Sequence, residues 1–466
     1  MKGGYNVPDI FTLSRDTELT SEVVEDFIKK HGENLSRYKE LMDLYKGKHP
    51  ILTQDAKATY KPDNRLVVNF AKYIVDTLNG YCASKPIKTT HTDKAISEKV
   101  SEILKLNDQD DNDAEISKMC SIYGHAYEML YQDEDTQTCI TYLSPEEAFV
   151  VYDKSVRQAP YFAVWYSTDE KGKISGKVYT AEQSYDIAQG ESGFAMTESE
   201  ENESYYGDIP IIEHIENEER ESIISSVESL IKAYNKAISE KANDVDYFAD
   251  AYLAVLGAEL DEGGVARIRD NRIINLFGTS DASKILVQFL DKPDGDQTQE
   301  NLIDRLERLI YQMSMVSNIN DEDFGNASGV AMAFKLQSME NLALMKERKK
   351  TSAINRRWKL IFGLVTNFPV TQKDEWRNLE HQYTRNIPHN VKEEAEVAGD
   401  LTGIVSKQTA LKGLSVVQDV EAELERIKAE KLEEVGDDYD EIGDGGEDDA
   451  GTEPGVLDGK ADKAVE

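Results

Sequence analysis

The chain has 466 residues, of which 39% are hydrophobic and 30% are charged, and its formal net charge is −36. This length exceeds what one ordinary hydrophobic core serves, so we expect several structural units with a polar surface. So acidic a chain is a poor candidate for tight, sequence-specific binding of nucleic acid, because lysine and arginine must replace the phosphate counterions. An acidic surface that faces DNA would instead keep the DNA from adhering.

Several other classes of protein are excluded by features that the sequence lacks. No run approaches the roughly 20 apolar residues of a membrane span, and the first residues lack the pattern of a secretory signal. Cys82, Cys120 and Cys139 match no zinc or redox spacing, which predicts buried thiols in a reducing cytoplasm. Without a P-loop, a His-Glu-x-x-His motif or paired Cys-x-x-Cys motifs, we expect no ATPase, no metal and no cofactor.

Helices open the chain. Apolar residues at helical spacing predict a helix over 20–46, interrupted near Gly32. A second helical pattern covers 67–78 and stops before Pro86. The stretch NDQDDNDAEI at 107–116 is interpreted as an acidic loop whose last acids cap the next helix.

From Tyr127 onward the spacing of apolar residues changes from that of helices to the alternation typical of β-strands. Alternating apolar residues predict one hairpin over 127–143 and another over 161–180, the second with its turn near Gly172. The polar stretch 190–207 predicts a loop, and IPIIEHI at 209–215 predicts a short strand.

Two long helices flank a small unit in the middle of the chain. Ser225 and Glu228 fit a capping box at the start of a helix over 225–254, about 45 Å long. Short strand-like runs with glycine turns predict a compact unit over 255–297, and a second helix follows over 298–318.

A third helix is longer still. Helical spacing without proline continues from 329 to 368, about 60 Å, until Pro369 ends it. Residues 374–388 predict a returning strand, 391–434 two or three helices, and 435–466 a disordered acidic tail. One chain cannot bury the apolar stripes of such extended helices, so we expect neighbouring copies to cover them in a ring or a similar oligomer.

The order of these elements resembles that of the portal proteins of tailed bacteriophages, in particular the long-noncontractile-tail type of Gram-positive hosts. Segments that carry the resemblance include NRLVVNFAKYIVDTLNGYCASKPI, YGHAYEMLYQDEDTQTCITYL and SGVAMAFKLQSMENLA. It covers about residues 20–434 and implies an α+β, predominantly helical fold. The implied parts are a wing (1–224 and 330–390), two stem helices (225–254 and 298–318), a clip (255–297) and a crown (391–434).

The resemblance also implies a function and its partners. Portal proteins form a ring of twelve subunits at one capsid vertex, or thirteen when isolated, and double-stranded DNA passes through it during packaging and ejection. The implied partners are the terminase large subunit, the major capsid and scaffolding proteins, and a head-completion adaptor at the clip. The terminase hydrolyses ATP, so the portal itself is expected to be no enzyme. It would reside in the virion, and in the host cytoplasm during assembly.

Residues 319–329 join the second stem helix to the long helix and resemble the tunnel loop of the family. Two glycines give this backbone conformational freedom, and three acids would repel phosphate and keep DNA contact weak. An ordinary interhelical turn with an Asp or Ser cap is the alternative. The candidate channel residues are Asp321, Glu322, Asp323, Phe324, Gly325, Asn326, Ser328 and Gly329.

Sparse basic residues could contact phosphate or an adaptor within an otherwise acidic ring. For the three arginines of the clip, Arg267, Arg269 and Arg272, contact with DNA, contact with an adaptor and pairing between subunits all stay open. For the basic run at 346–359 we expect salt bridges to acidic neighbours or a solvated face. The candidates are Arg267, Arg269, Arg272, Arg305, Arg308 and Lys335.

Two hypotheses from other classes compete with the portal. One is a metal-dependent nuclease or phosphoryl-transfer enzyme that uses the aspartate clusters, with Asp110 and Asp111 as its candidates. It requires carboxylates that converge in one pocket. The other is a helical capsid-assembly scaffold without a DNA channel.

Overall fold

The computed structural model describes residues 10–58, 61–190, 193–199, 205–248, 253–256, 273–276, 286–289, 296–319, 329–387, 391–414, 416–417 and 420–440. The chain divides into two compact units, Met1–Asn386 and Ile387–Glu466. No helix within the described ranges is both long enough and apolar enough to cross a membrane.

Helices and strands alternate through the large unit, and the fold class is α+β as expected. Its helices are α1 (Ser21–Tyr45), α2 (Phe70–Cys82), α3 (Lys94–Leu106), α4 (Gln109–Tyr123), α5 (Glu228–Phe248), α6 (Asp296–Ser314) and α7 (Gly329–Gly363). Its strands are β1 (Thr12–Leu13), β2 (Lys88–Thr90), β3 (His125–Gln132), β4 (Thr138–Leu143), β5 (Ala148–Asp153), β6 (Pro160–Thr168), β7 (Ile174–Tyr179), β8 (Ser184–Gly190), β9 (Gly193–Glu198), β10 (Ile211–Ile215), β11 (Leu253–Leu256), β12 (Ile273–Leu276), β13 (Leu286–Phe289) and β14 (Glu380–Gln382).

These strands form a six-stranded sheet in the order β1-β5-β6-β7-β8-β9, three-stranded sheets β10-β3-β4 and β12-β11-β13, and the pair β14-β2. Both predicted hairpins are confirmed. In the first, Tyr127 lies opposite Leu143. In the second, Ser167 lies opposite Ser175, and Gly172 turns the chain at a φ of 78°. The strand predicted at 209–215 is β10, and the predicted returning strand is β14.

The first core lies between α1 and the six-stranded sheet. Phe27 of α1 packs edge-on against Phe162 of β6, with ring centroids 5.7 Å apart. The predicted interruption near Gly32 is wrong, because α1 continues through it while His31 and Tyr38 stay buried on the sheet side. Thr20 begins the helix, its side chain accepting a hydrogen bond from the Val23 N–H.

The second core packs the C-terminal half of α7 against the sheet β10-β3-β4. Trp358 and Phe362 are buried there with Leu130 and Ile212. The helix ends at Gly363 rather than at the predicted 368, because Phe368 folds back and stacks on Phe362 at 3.8 Å between ring centroids.

Several predicted boundaries differ in the structure. The acidic stretch 107–116 is no loop, since α4 begins at Gln109. The polar stretch 190–207 contains the edge strand β9. The predicted capping box is wrong, because α5 begins at Glu228, whose carboxylate pairs with Arg37 at 2.9 Å and Lys232 at 2.6 Å.

The helices on either side of the small sheet are shorter than predicted. α5 ends at Phe248, and the last two residues of the predicted helix, 253 and 254, belong to β11. α6 ends at Ser314, where Met315 adopts a positive φ of 60°.

The small unit consists of helices in the described part. They are α8 (Val391–Leu401), α9 (Lys407–Lys412) and α10 (Val420–Asp440). The Ser406 hydroxyl caps α9 by accepting from the Thr409 N–H at 3.2 Å. α10 continues to Asp440, so the tail predicted to be disordered from 435 is helical for its first six residues. The rest of the predicted tail, 441–466, lies outside the described residues.

Candidate functional site at the base of the acidic loop

The acidic loop joins α6 to α7, and the structure describes the chain up to residue 319 on one side of it and from residue 329 on the other. Candidate residues Asp321, Glu322, Asp323, Phe324, Gly325, Asn326 and Ser328 lie outside the described residues. Gly329, the last candidate, is the first residue of α7. The described part of the site therefore consists of the residues that hold the two ends of the loop.

A tyrosine hydroxyl holds the chain where it enters the loop. The Tyr73 hydroxyl, on α2, accepts a hydrogen bond from the Ile319 N–H at 3.0 Å and donates one to the Ser317 carbonyl at 3.4 Å. The Ser317 hydroxyl donates to the Lys335 carbonyl of α7 at 2.7 Å. Residues 317–319 are thus bonded to α2 on one side and to α7 on the other.

The Tyr73 ring is itself fixed by an aromatic cluster at the junction of three helices. Its centroid lies 5.7 Å from that of Tyr311 on α6, in an edge-to-face arrangement. Phe70 contacts Tyr311 at 5.7 Å and Tyr234 of α5 at 4.9 Å. Burial raises the pKa of the Tyr311 hydroxyl well above its usual value, and the neighbouring Tyr73 adds to this.

Just before α2, the extended residues 64–68, here called the strap, run antiparallel along α5. Every second N–H of the strap donates to a side chain of α5, and those side chains are spaced four residues apart and buried. The helix thereby satisfies backbone groups that have no strand partner. The three bonds are Asn64 N–H to Asn243 Oδ1 (2.6 Å), Leu66 N–H to Ser239 Oγ (2.9 Å) and Val68 N–H to Asn235 Oδ1 (2.8 Å).

The structure brings two of the basic candidates together. Arg308 of α6 and Lys335 of α7, both exposed, line one surface hollow with Asp304, Glu307 and Ser317. Its charge is mixed, which suits weak contact with phosphate better than tight binding. Arg305 is exposed on α6 but does not line this hollow. The remaining basic candidates, Arg267, Arg269 and Arg272, lie outside the described residues.

The basic run 346–359 forms salt bridges, as expected, and two of its members are buried. Arg357 is 1% exposed. It donates to Glu128 Oε1 at 2.5 Å and to Asp113 Oδ1 at 2.5 Å. Lys346 donates to Glu216 at 2.5 Å and to the Ser117 carbonyl at 2.9 Å. These pairs fix the C-terminal half of α7 to α4, to β3 and to the chain just after β10.

Mutual attraction keeps these buried groups charged. Burial alone would raise the pKa of the Asp113 carboxyl, but Arg357 and Lys350 more than offset this and hold the pKa below its usual value. The pKa of the Glu128 carboxyl is likewise lowered, by Arg357 and His214 against the effect of burial. Sequence reasoning anticipated pairing for this run, but no pattern near Asp113 or Glu128 indicated their partner.

A further arginine missed by sequence reasoning braces the middle of α7. Arg385, after β14, pairs with Glu340 at 2.7 Å and also with Glu347. The Tyr81 hydroxyl of α2 donates to the same Glu340 at 2.6 Å.

The aspartates proposed for a nuclease do not converge. Asp110 and Asp111 lie in the first turn of α4, while Asp113 faces Arg357. Within the part of the chain that the structure describes, no group of three or more His, Cys, Asp or Glu side chains could hold a metal ion. Cys82 and Cys120 are buried free thiols as expected, but Cys139 is half-buried. Burial raises the pKa of Cys120 to about 12.

In contrast to its braced C-terminal half, the N-terminal half of α7 exposes large apolar side chains, and α5 and α6 expose others. Their exposed fractions range from 43% to 76%. A single chain leaves these side chains uncovered, and a neighbouring copy can cover them. The residues are Val245, Leu302, Met313, Phe334, Leu344 and Met345.

Two helices that flank a small three-stranded sheet are followed, after the acidic loop, by a 35-residue helix. The family model of the phage portal protein, SPP1 Gp6-like, matches residues 25–437, and the chain belongs to this family. It is therefore a portal protein, a subunit of the homo-oligomeric ring in the head-to-tail connector of the virion. The family match does not support the nuclease or the channel-free scaffold.

Individual relatives carry the same name. The chain is 23% identical over 429 residues to the portal protein of Clostridium phage phiCD119, across 87% of this chain and 94% of that protein. It is 25% identical over 395 residues to the portal protein of Bacillus phage SPP1, across 79% and 76%. Among solved structures, a chain in the neck of an empty gene transfer agent particle has a TM-score of 0.46 and 10% identity, across 80% of this chain and 91% of that one.

Proposed function

We propose that twelve copies of the chain, or thirteen in isolation, close into a ring at one capsid vertex. The bore of this ring is the channel for packaging and ejecting double-stranded DNA. The observation that carries the proposal is the family match over residues 25–437. The apolar side chains left exposed on α5, α6 and the N-terminal half of α7 support it, because lateral neighbours in a ring would bury them.

The parts of the subunit take the roles of the portal architecture. The wing comprises residues 1–224 and 330–390, the stem α5 and α6, the clip 255–297 and the crown 391–434. The loop 319–329 is the tunnel loop, which faces the DNA. Ring symmetry multiplies every residue of this loop around the bore.

The channel acts electrostatically, and it repels more than it holds. With a formal net charge of −36 on every chain, the ring keeps DNA from adhering, and three acids of the tunnel loop face the phosphates. Arg308 and Lys335, at the base of that loop, provide the weak attraction, together with Arg305 further along α6. The clip arginines, Arg267, Arg269 and Arg272, contact DNA, an adaptor or a neighbouring subunit.

The ring works without an active site of its own. The terminase large subunit supplies the ATP hydrolysis, and a head-completion adaptor binds at the clip. The major capsid and scaffolding proteins surround the ring during assembly in the host cytoplasm. No cofactor and no membrane take part.

Imaging of the purified protein tests the ring directly. Negative-stain micrographs and native mass spectra are expected to contain closed rings of twelve or thirteen subunits. Well-folded monomers or open filaments under every ionic condition tried would overturn the proposal.

The tunnel loop is tested separately by Gly325→Val combined with Gly329→Val. These β-branched side chains restrict the backbone freedom of glycine, so the variant is expected to form rings but to package DNA poorly. Gly32→Val is the matched control, because a Cβ at Gly32 in α1 meets no atom within 4 Å. Normal packaging by the loop variant would refute the assignment of 319–329 to the channel.

A further inference from the structure

We propose that Tyr73 is a positioning residue that fixes the base of the tunnel loop and thereby sets how far the loop reaches into the bore. The inference rests on the function proposed above for residues 319–329. Its physical basis is the pair of hydrogen bonds from Tyr73 to Ile319 and Ser317, together with the bond from Ser317 to α7. We call these three bonds the clamp.

The clamp removes three residues from the free length between the two helices. α6 ends at Ser314, Val316 after it is buried, and α7 begins at Gly329, so the 12 residues 317–328 would be free without the clamp. With Ile319 held, only the nine residues 320–328 remain. An extended chain spans about 3.4 Å per residue, so a loop fixed at both ends reaches roughly half its contour length. The maximal reach is then roughly 17 Å with the clamp and roughly 22 Å without it.

Tyr73 suits this task because its own position is fixed independently of the loop. Its ring packs against Tyr311 of α6, and α2 packs through Phe70 against both α6 and α5. The strap immediately before α2 is bonded along α5. The hydroxyl is therefore presented from a packed junction, and it makes both hydrogen bonds from Tyr73 to residues 317 and 319.

Because the ring holds the helices together and the hydroxyl holds the loop, the two roles separate in one substitution. Tyr73→Phe keeps the aromatic packing and removes both hydrogen bonds to the loop base. Ser317→Ala releases the other side of the clamp, at Lys335, and leaves Tyr73 untouched. Tyr45→Phe is the matched control, since it removes a comparable hydroxyl bond, to Asp76 of the same helix α2 (2.9 Å), away from the loop.

The test combines amide hydrogen exchange on assembled rings with in vitro DNA packaging by the terminase. In Tyr73→Phe, the Ile319 amide is expected to exchange roughly tenfold faster, as the loss of one hydrogen bond predicts. The melting temperature and the ring number are expected to stay at the wild-type values, and the packaging rate is expected to fall. Ser317→Ala is expected to produce the same pattern, and Tyr45→Phe neither effect.

The possible failures are distinguishable. Unchanged exchange at Ile319 in Tyr73→Phe would overturn the clamp, whatever happens to packaging. Faster exchange with normal packaging would overturn the positioning role alone, because the assignment of the loop to the channel is tested separately by Gly325→Val combined with Gly329→Val. A fall in packaging that accompanies loss of the ring in both variants, without a local change in exchange, would make Tyr73 purely structural.

Discussion

Replacing Arg357 by methionine is the most direct test of how the long helix is anchored. The substitution keeps a long apolar side chain but removes the guanidinium that faces Asp113 and Glu128. Both carboxylates are buried, with exposed fractions of 7% and 0%. The loss of one partner of a buried ion pair costs about 3–5 kcal/mol. Without Arg357, Asp113 keeps only Lys350 and Glu128 keeps only His214 as a neighbouring counter-group, and neither carboxylate gains water. For the unit Met1–Asn386 this corresponds to a fall in melting temperature of roughly 4–6 °C.

The pH dependence of that loss identifies its cause. Without Arg357, burial is opposed mainly by Lys350 at Asp113 and by His214 at Glu128, so we expect the folded-state pKa of both carboxyls to rise above their unfolded values. A group with a raised folded pKa supports the folded state at low pH and ceases to do so as the pH rises through that pKa. The deficit of Arg357→Met relative to wild type is therefore expected to be largest at pH 8 and to shrink at pH 5.

Calorimetry or fluorescence melts at the two pH values measure this. Arg348→Met is the matched control, because Arg348 is an exposed arginine of the same helix. Adding Asp113→Asn and Glu128→Gln to Arg357→Met is expected to recover much of the loss at pH 8. Equal deficits at pH 5 and pH 8, or a variant as stable as wild type, would refute the anchoring role of these charges.

Three further outcomes are expected. Burial lowers the pKa of His31 and of His125 to about 4. The unfolded chain therefore binds protons that the folded chain does not, and the free energy of unfolding is expected to fall by about 3 kcal/mol per histidine between pH 6.5 and pH 4. Urea denaturation measures this, and an unfolding free energy that stays constant over this pH range would contradict it. Gly124→Ala is expected to destabilise the fold by more than about 2 kcal/mol in chemical denaturation, because φ is 94° and a Cβ would lie 2.0 Å from the Arg220 carbonyl oxygen. Gly172→Ala is the control, and it is expected to destabilise the fold less, because Gly172 also has a positive φ but a Cβ there would meet no atom within 4 Å. Ser239→Ala is expected to lower the unfolding free energy by about 1–2 kcal/mol and to speed exchange of the Leu66 amide, and full protection of that amide would show that the strap is held otherwise.

Local patterns in the sequence predicted the elements that local forces define. Alternating residues on either side of Gly172 sufficed for a hairpin, since the turn and the register lie within a few residues of each other. The absence of proline before Pro369 sufficed for the long helix, although its end was missed by five residues. That end depends on Phe368 reaching back to stack on Phe362, which periodicity does not encode.

Elements that depend on distant partners were missed. The acidic start of α4 resembles a solvated loop until Arg357, 244 residues from Asp113, supplies the opposite charge. Glu228 fits a capping box by spacing, yet Arg37, far away in the chain, pairs with its carboxylate. In each case a tertiary contact overrides a local preference.

The same division applies to the candidate site. Residue types alone indicated an acidic glycine loop and basic residues near its ends, and Arg308 and Lys335 do meet in one hollow. Tyr73 lies nearly 250 residues before the loop and carries no chemical signature of its role. Only the packing of α2 against α6 reveals it.

The series of backbone N–H hydrogen bonds from the strap to α5 is limited to three. Four helical residues advance about 6.0 Å, whereas two extended residues advance about 6.7 Å. The two repeats therefore differ by about 0.7 Å at each successive bond, and neither end offers a fourth pair, because Pro62 has no N–H and position 231 of α5 is an isoleucine without a polar side chain. The chain departs after the third, at Asn69, whose side chain caps α2 by accepting from the Lys72 N–H at 3.1 Å. A longer strap could not bind this helix more tightly, so any additional stiffness at the junction must come from the aromatic rings beside it.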